Sequence, residues 1–258
     1  MATIRFFCLI GLICLPLAAQ DNYEIQVYGS ESVGKRRVMF ETHTNFTFEG
    51  TKSVVEGVRP TEHALHETFE ITTGLTDWFE TGFYIFTAAT PGYGWNYVGS
   101  HIRPRFTAPE KWHWPVGVSL STEFGYQRAS YSTDTWDWEI RPIVDKQIRH
   151  WYLCFNPAVD KSIHGRTAGQ GWVFSPNVKI GYDLTKRIQA GIEYYGSLGP
   201  VGSFDAFRDQ SQQIFSCIDL NLGEKWEFNA GIGVGVTQAT DHLIAKVIIG
   251  RRFSFGRH

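Results

Sequence analysis

Charged side chains in this sequence recur at every second position. His101, Arg103 and Arg105 do so in one stretch, Glu123 stands in the next, and Asp137, Glu139 and Arg141 follow in a third. Alternate residues of an extended strand share a face, so the spacing predicts that all seven look into one compartment. A guanidinium binds a carboxylate through two parallel hydrogen bonds. A basic row set against an acidic row would create a transverse field in a constriction, able to orient small polar or anionic solutes. The same parity collects Glu41, His43, His66, Glu70, Glu80, Asp145, Asp160, Lys179, Asp183, Glu193, Asp219, Lys246 and Arg252. With both signs abundant, a plainer reading competes: an interior lattice of ion pairs that fills its container, because an isolated buried ion costs several kcal/mol.

Hydrolysis is the other chemistry to weigh, since it needs a nucleophile and a base held together. His63 and His66 fall on opposite faces, Ser162 and His164 lie in a loop without an acidic partner, and Ser119 and Ser121 have no neighbouring histidine. The nine histidines are scattered, and no Cys/His spacing fits a zinc site. The residues therefore assign no catalytic group, metal or cofactor.

The elements that must hold these side chains are strands. From Trp112 to Arg128 the even positions are Trp112, Trp114, Val116, Val118, Leu120, Thr122, Phe124 and Tyr126, and the odd ones are polar or small. Period two marks a β-strand, and its order of aromatic, aliphatic, aromatic matches the interface, hydrocarbon and interface layers of a bilayer. Similar alternation from Val38 to Glu49 predicts a first strand. Others follow near 63–74, 77–88, 95–107, 114–128, 134–147, 151–161, 171–183, 188–197, 212–222, 226–237 and 242–255. About twelve strands, an even number, predict an all-β, transmembrane, antiparallel up-and-down β-barrel.

Connections support closure. Leu75–Trp78, Leu184–Arg187 and Leu222–Trp226 are tight and alike, and Arg149–Trp151 is as short, whereas 50–62, 163–170 and 198–211 are long. Two connections of the long set, 129–133 and 238–241, are short. The tight turns put Trp78, Trp112, Trp151 and Trp226 at one level, with Trp114 beside them, as a membrane girdle. Pro104, Pro142, Pro157 and Pro176 fall inside strands on the outward parity; each removes a ladder donor, so a bulge or bend is expected there.

Arg5, the apolar run Phe6–Leu15, Pro16 and the small pair Ala18–Ala19 read as a cleavable secretory signal over residues 1–19. Residues 20–37 then form an N-terminal segment, periplasmic or inserted in the lumen, and residues 38–258 the barrel. Lys+Arg 24 against Asp+Glu 26 gives a net charge of -2 without a basic patch, which argues against a nucleic-acid partner. Cys154 and Cys217, one to a strand, read as small buried fillers in preference to a disulfide.

The last strand ends Gly250-Arg251-Arg252-Phe253-Ser254-Phe255, and Gly250, Phe253 and Phe255 resemble the signal read by the outer-membrane assembly machinery. Ile248 replaces the usual polar residue, and three residues follow Phe255. The stretches Asp21–Glu31, His66–Tyr84, His101–Arg105, Pro109–Glu123 and Trp138–Ile143 resemble outer-membrane transporters grouped with the MetA-pathway of phenol degradation proteins. That resemblance implies a channel in a Gram-negative outer membrane, in contact with its lipid, for small aromatic or other organic solutes. It carries over no catalytic motif.

Overall fold

A computed structural model describes residues 22–255; the signal reading over 1–19 lies outside them. Twelve antiparallel strands follow one another: β1 Arg37–Glu49, β2 Leu65–Gly74, β3 Phe79–Thr90, β4 Gly94–Thr107, β5 Gly117–Gln127, β6 Asp134–Ile148, β7 Trp151–Gly165, β8 Val173–Asp183, β9 Ile188–Ser197, β10 Ser211–Leu220, β11 Trp226–Gly235 and β12 Leu243–Ser254. Each pairs with its sequence neighbours, and β1 pairs with β12, from Arg37↔Ser254 to Thr47↔Ile244, closing the barrel. Closure leaves no unpaired edge. Across the seam Phe40 and Phe253 meet edge to face at 6.1 Å.

Polarity is inverted relative to a soluble domain. On β5, Leu120 and Phe124 are exposed while Ser119, Ser121 and Glu123 are buried, and on β1 Phe40 points out while Glu41, His43 and Asn45 point in. Phe69, Ile71, Phe83, Ile85, Ile102, Leu153, Phe155, Ile180, Ile192, Ile218, Ile232 and Ile249 extend this apolar surface around the wall. A soluble surface does not sustain so continuous a belt; hydrocarbon does.

The strand predicted over 114–128 begins later, at Gly117. Pro115 cannot donate to a ladder, His113 takes a left-handed conformation (φ 51°), and Glu110–Trp112 coil into a 3-10 turn. The connection 91–93 is short although it belongs to the long-loop end, because β3 and β4 run on to Thr90 and Gly94. Two of the tight turns are built alike. Leu75 and Thr76 N–H both donate to Phe79 O, and Trp78 N–H to Thr76 Oγ1; Leu184 and Thr185 N–H both donate to Ile188 O, and Arg187 N–H to Thr185 Oγ1.

The prolines do not produce the expected bulges. Ile102↔Phe124 and Arg105↔Ser121 keep one register on either side of Pro104, as Ile140↔Val159 and Val144↔Phe155 do around Pro142, and Pro157 faces Pro176 directly. The ladder omits bonds there without inserting a residue. Register shifts lie instead at Thr47/Glu49, Phe86/Thr87 and Asp134–Asp137.

Residues 24–33 run through the lumen outside the sheet, and a turn at 34–37, with Gly34 and Arg36 at positive φ, leads into β1. Arg36 N–H donates to Gly74 O and Phe255 N–H to Arg36 O at the end of the barrel where β1 begins and β12 finishes. At the other end the Asn22 side-chain amide donates to Asp241, in the connection from β11 to β12. Gly74 shows how closely the segment hugs the wall: a Cβ there would lie 1.8 Å from Gly34 O. We expect Gly74→Ala to cost roughly 1–3 kcal/mol through overpacking. In detergent this should lower the temperature at which the compact band converts to the unfolded band in gel electrophoresis, and an unchanged temperature would contradict the packing described.

Candidate functional site

Among the described residues, the charged side chains singled out by strand parity converge in the lumen. Its contents follow from strand parity, and its geometry from the segment 22–36 threaded through it. Asn45 donates to Asn22 O, Thr68 to Tyr23 O at 2.6 Å, Lys246 to Ile25 O at 3.0 Å, and Asn156 to Tyr28 O at 2.9 Å. In return Tyr28 N–H donates to Asn156 Oδ1, Ser30 N–H and hydroxyl to Asp145, and Val33 N–H to Glu80. Backbone polar groups that no ladder satisfies thus find wall side chains. Apolar contacts complete the fit: Ile25 and Val27 pack in a cluster with Ile143, Phe215 and Ile244, and Tyr23 beside Phe86.

Tyr28 sits at the centre. Its ring lies 4.5 Å from the Arg103 guanidinium and 5.1 Å from that of Arg141, a double cation–π arrangement. Its hydroxyl donates to Glu24 and lies 3.4 Å from the Tyr84 hydroxyl.

The seven selectivity candidates are all inside, but they do not form opposed rows. Arg103 binds Glu70 at 2.6 Å, two strands away. Arg105 reaches Glu80 at 3.5 Å and donates to the carbonyls of Gly29 and Glu31. Arg141 grips Glu139 of its own strand through both oxygens, at 2.6 and 2.5 Å. His101 pairs with Glu123 through Nδ1 and stands 3.7 Å from Asp137 through Nε2. Arg103, Arg105 and Arg141 are each paired with a carboxylate on their own or a nearby strand. Gly125 makes room for His101: a Cβ there would fall 1.8 Å from the His101 ring.

A second cluster lies across the barrel. Glu193 accepts from Lys246 and lies 3.1 Å from Lys179, which also binds Asp219 at 2.7 Å. Tyr195 and Asn229 add hydrogen bonds to Glu193. Tyr84, Phe86 and Tyr195 are large and fully buried beside these charges, and nothing in their residue type marks them as lumen residues. Their parity with Glu80 and Glu193 was the available signal. Cys154 and Cys217 are buried and free, and Cys154 Sγ–H donates to Tyr28 O.

Beyond Tyr28 the lumen opens into a vestibule of about 730 Å³ at the end of the tight turns, lined by Glu31, Arg105, Lys179, Asp183, Arg187 and Arg252, among others. Trp78, Trp112, Trp114, Trp151 and Trp226 are exposed at that same end. Trp112 and Trp114 lie 5.3 Å apart, and Arg251 stands over Trp226. Gly250 and Phe253 lie on β12, with Phe255 just beyond it.

No family model and no curated relative matches the sequence. Solved structures do match its shape. An outer membrane channel from Pseudomonas putida F1 aligns with TM-score 0.56 at 9% identity, over 89% of this chain and 100% of that one. The NanC porin aligns at 0.53 with 7% identity, over 84% and 100%. The KdgM porin in complex with disordered oligogalacturonate aligns at 0.50 with 8% identity, over 84% and 99%. The fold is that of the bacterial outer-membrane β-barrel channels.

Removing one partner of a buried ion pair leaves the other uncompensated. Lys246→Met should therefore destabilise the barrel by about 3 kcal/mol, and the added Glu193→Gln should recover part of the loss. A double-mutant cycle in urea, followed by tryptophan fluorescence, measures both, and additive costs would show that the pair is not coupled.

Proposed function

We propose that the protein is a channel of the bacterial outer membrane for small organic solutes, and that it is not an enzyme. The observation that carries this reading is a polar lumen inside a closed wall with an apolar outer face, opening into a vestibule of about 730 Å³. That volume suits a solute of one or two rings. Guanidinium groups at Arg105 and Arg252 reach the vestibule and suit carboxylates. Aromatic acids are the solute class that the resemblance to the MetA-pathway transporter type adds. On this reading the five tryptophans at the vestibule end anchor the inner interface in outer-membrane lipid, and Gly250, Phe253 and Phe255 address the chain to the assembly machinery.

One observation favours a second reading, a filled barrel without flux: residues 22–33 are hydrogen-bonded to the wall along their length. Planar-bilayer recordings separate the two. A channel should give single-channel steps that grow several-fold when residues 22–33 are deleted, and Arg103→Ala with Arg105→Ala should move the reversal potential toward cation selectivity. Silence from both the full chain and the deletion would leave only the filled barrel.

A further inference from the structure

We infer that Glu41, His43 and Glu70 form a binding site for one divalent transition-metal ion, of which zinc is the probe, on the lumen wall of β1 and β2. Glu41 and His43 stand two apart on β1 and share its inner face, and the register places Glu70 of β2 directly opposite Glu41. One ligand atom from each of the three lies within 4.8 Å of the others, and His43 Nε2 is 3.4 Å from Glu70 Oε2. A tetrahedral zinc with bonds of about 2.0–2.1 Å spaces its ligands by about 3.3–3.5 Å. The His43–Glu70 pair already has that span, and Glu41 reaches it by a rotamer adjustment.

Two further features point to an ion. The carboxylate of Glu70 is divided: Oε1 takes Arg103 at 2.6 Å and the Thr72 hydroxyl at 2.5 Å, while Oε2, aimed at His43, has no hydrogen-bond partner. The His43 side chain is 0% exposed, and neither ring nitrogen has a hydrogen-bond partner. Buried polar atoms left this way are uncommon and costly. Charge argues the same way. Carboxylates directly opposite one another repel; Arg103 answers Glu70 and Arg252 answers Glu227 at 3.4 Å, but among the described residues no cation pairs with Glu41. A doubly charged ion between Glu41 and Glu70 supplies the missing charge.

One imidazole with two carboxylates suits zinc and its transition-metal neighbours and not calcium, which takes six to eight oxygens. Glu41, Thr72 and Arg103 line the vestibule, which gives the ion its entry and leaves a coordination position for water or a solute carboxylate. Sequence spacing alone did not reveal the site, because its third ligand comes from strand pairing and not from the local motif.

The test uses the folded full chain in detergent, stripped with EDTA and titrated calorimetrically with zinc alone. The expected result is one ion per chain, with affinity falling more than about tenfold in Glu41→Gln and in His43→Asn, while His113→Asn and His164→Asn, at exposed positions, bind as the unaltered chain does. Cobalt added to the unaltered chain should give the intense visible absorption of four-coordinate metal, a readout that needs no variant to fold. Absence of zinc uptake, as in a site that merely shares a proton, would overturn the inference. So would binding that survives His43→Asn, or cobalt that keeps the pale spectrum of the six-coordinate hydrated ion. None of these outcomes bears on conductance, so the channel reading stands or falls separately.

Discussion

Neutralisation of charge inside a narrow wall is the constraint on which the rest of this molecule depends. A membrane barrel must send its apolar side chains outward, which leaves the inward face to polar and ionised ones. In a lumen as filled as this, each ion has to be answered within a few ångströms or bear its desolvation. The pairs Arg103–Glu70, Arg141–Glu139, Lys179–Asp219 and Lys246–Glu193 are that answer. They also explain the close seating of residues 22–36: the same Arg105 and Lys246 that balance charge donate to that segment's backbone, and Asp145 accepts from it.

Strand identity was legible because the inward and outward faces of each strand differ so strongly in polarity. Val38–Glu49 and Trp112–Arg128 show period two without ambiguity, and closure followed from an even number of such stretches joined by turns of two kinds. Polarity alternation also placed the charged residues on the inner face. It could not place them against one another, because register is a property of strand pairs. That Arg103 meets Glu70 depends on pairing through β3, which lies between β2 and β4, and no pattern within either strand encodes it. His43 illustrates the same limit: read along the chain it was one scattered histidine, whereas beside β2 it faces a carboxylate.

Proline taught the opposite lesson. Its missing N–H led to the expectation of bulges, yet the register around Pro104 and Pro142 is continuous. Adjacent ladder bonds hold the alignment while one bond is omitted, and the outward position keeps the ring away from the crowded interior. The real bulges lie at Thr47, Phe86 and Asp134–Asp137, where no residue type announces them.

The segment 22–33 is continuous with β1, and its root is pinned at Arg36 to both Gly74 and Phe255. Whatever enters the vestibule and needs that space competes with a tethered occupant, not a dissolved one. For a short tether the effective local concentration is on the order of millimolar, and it does not change with dilution or expression level. Occupancy by an external molecule is therefore set by its affinity measured against a fixed internal standard.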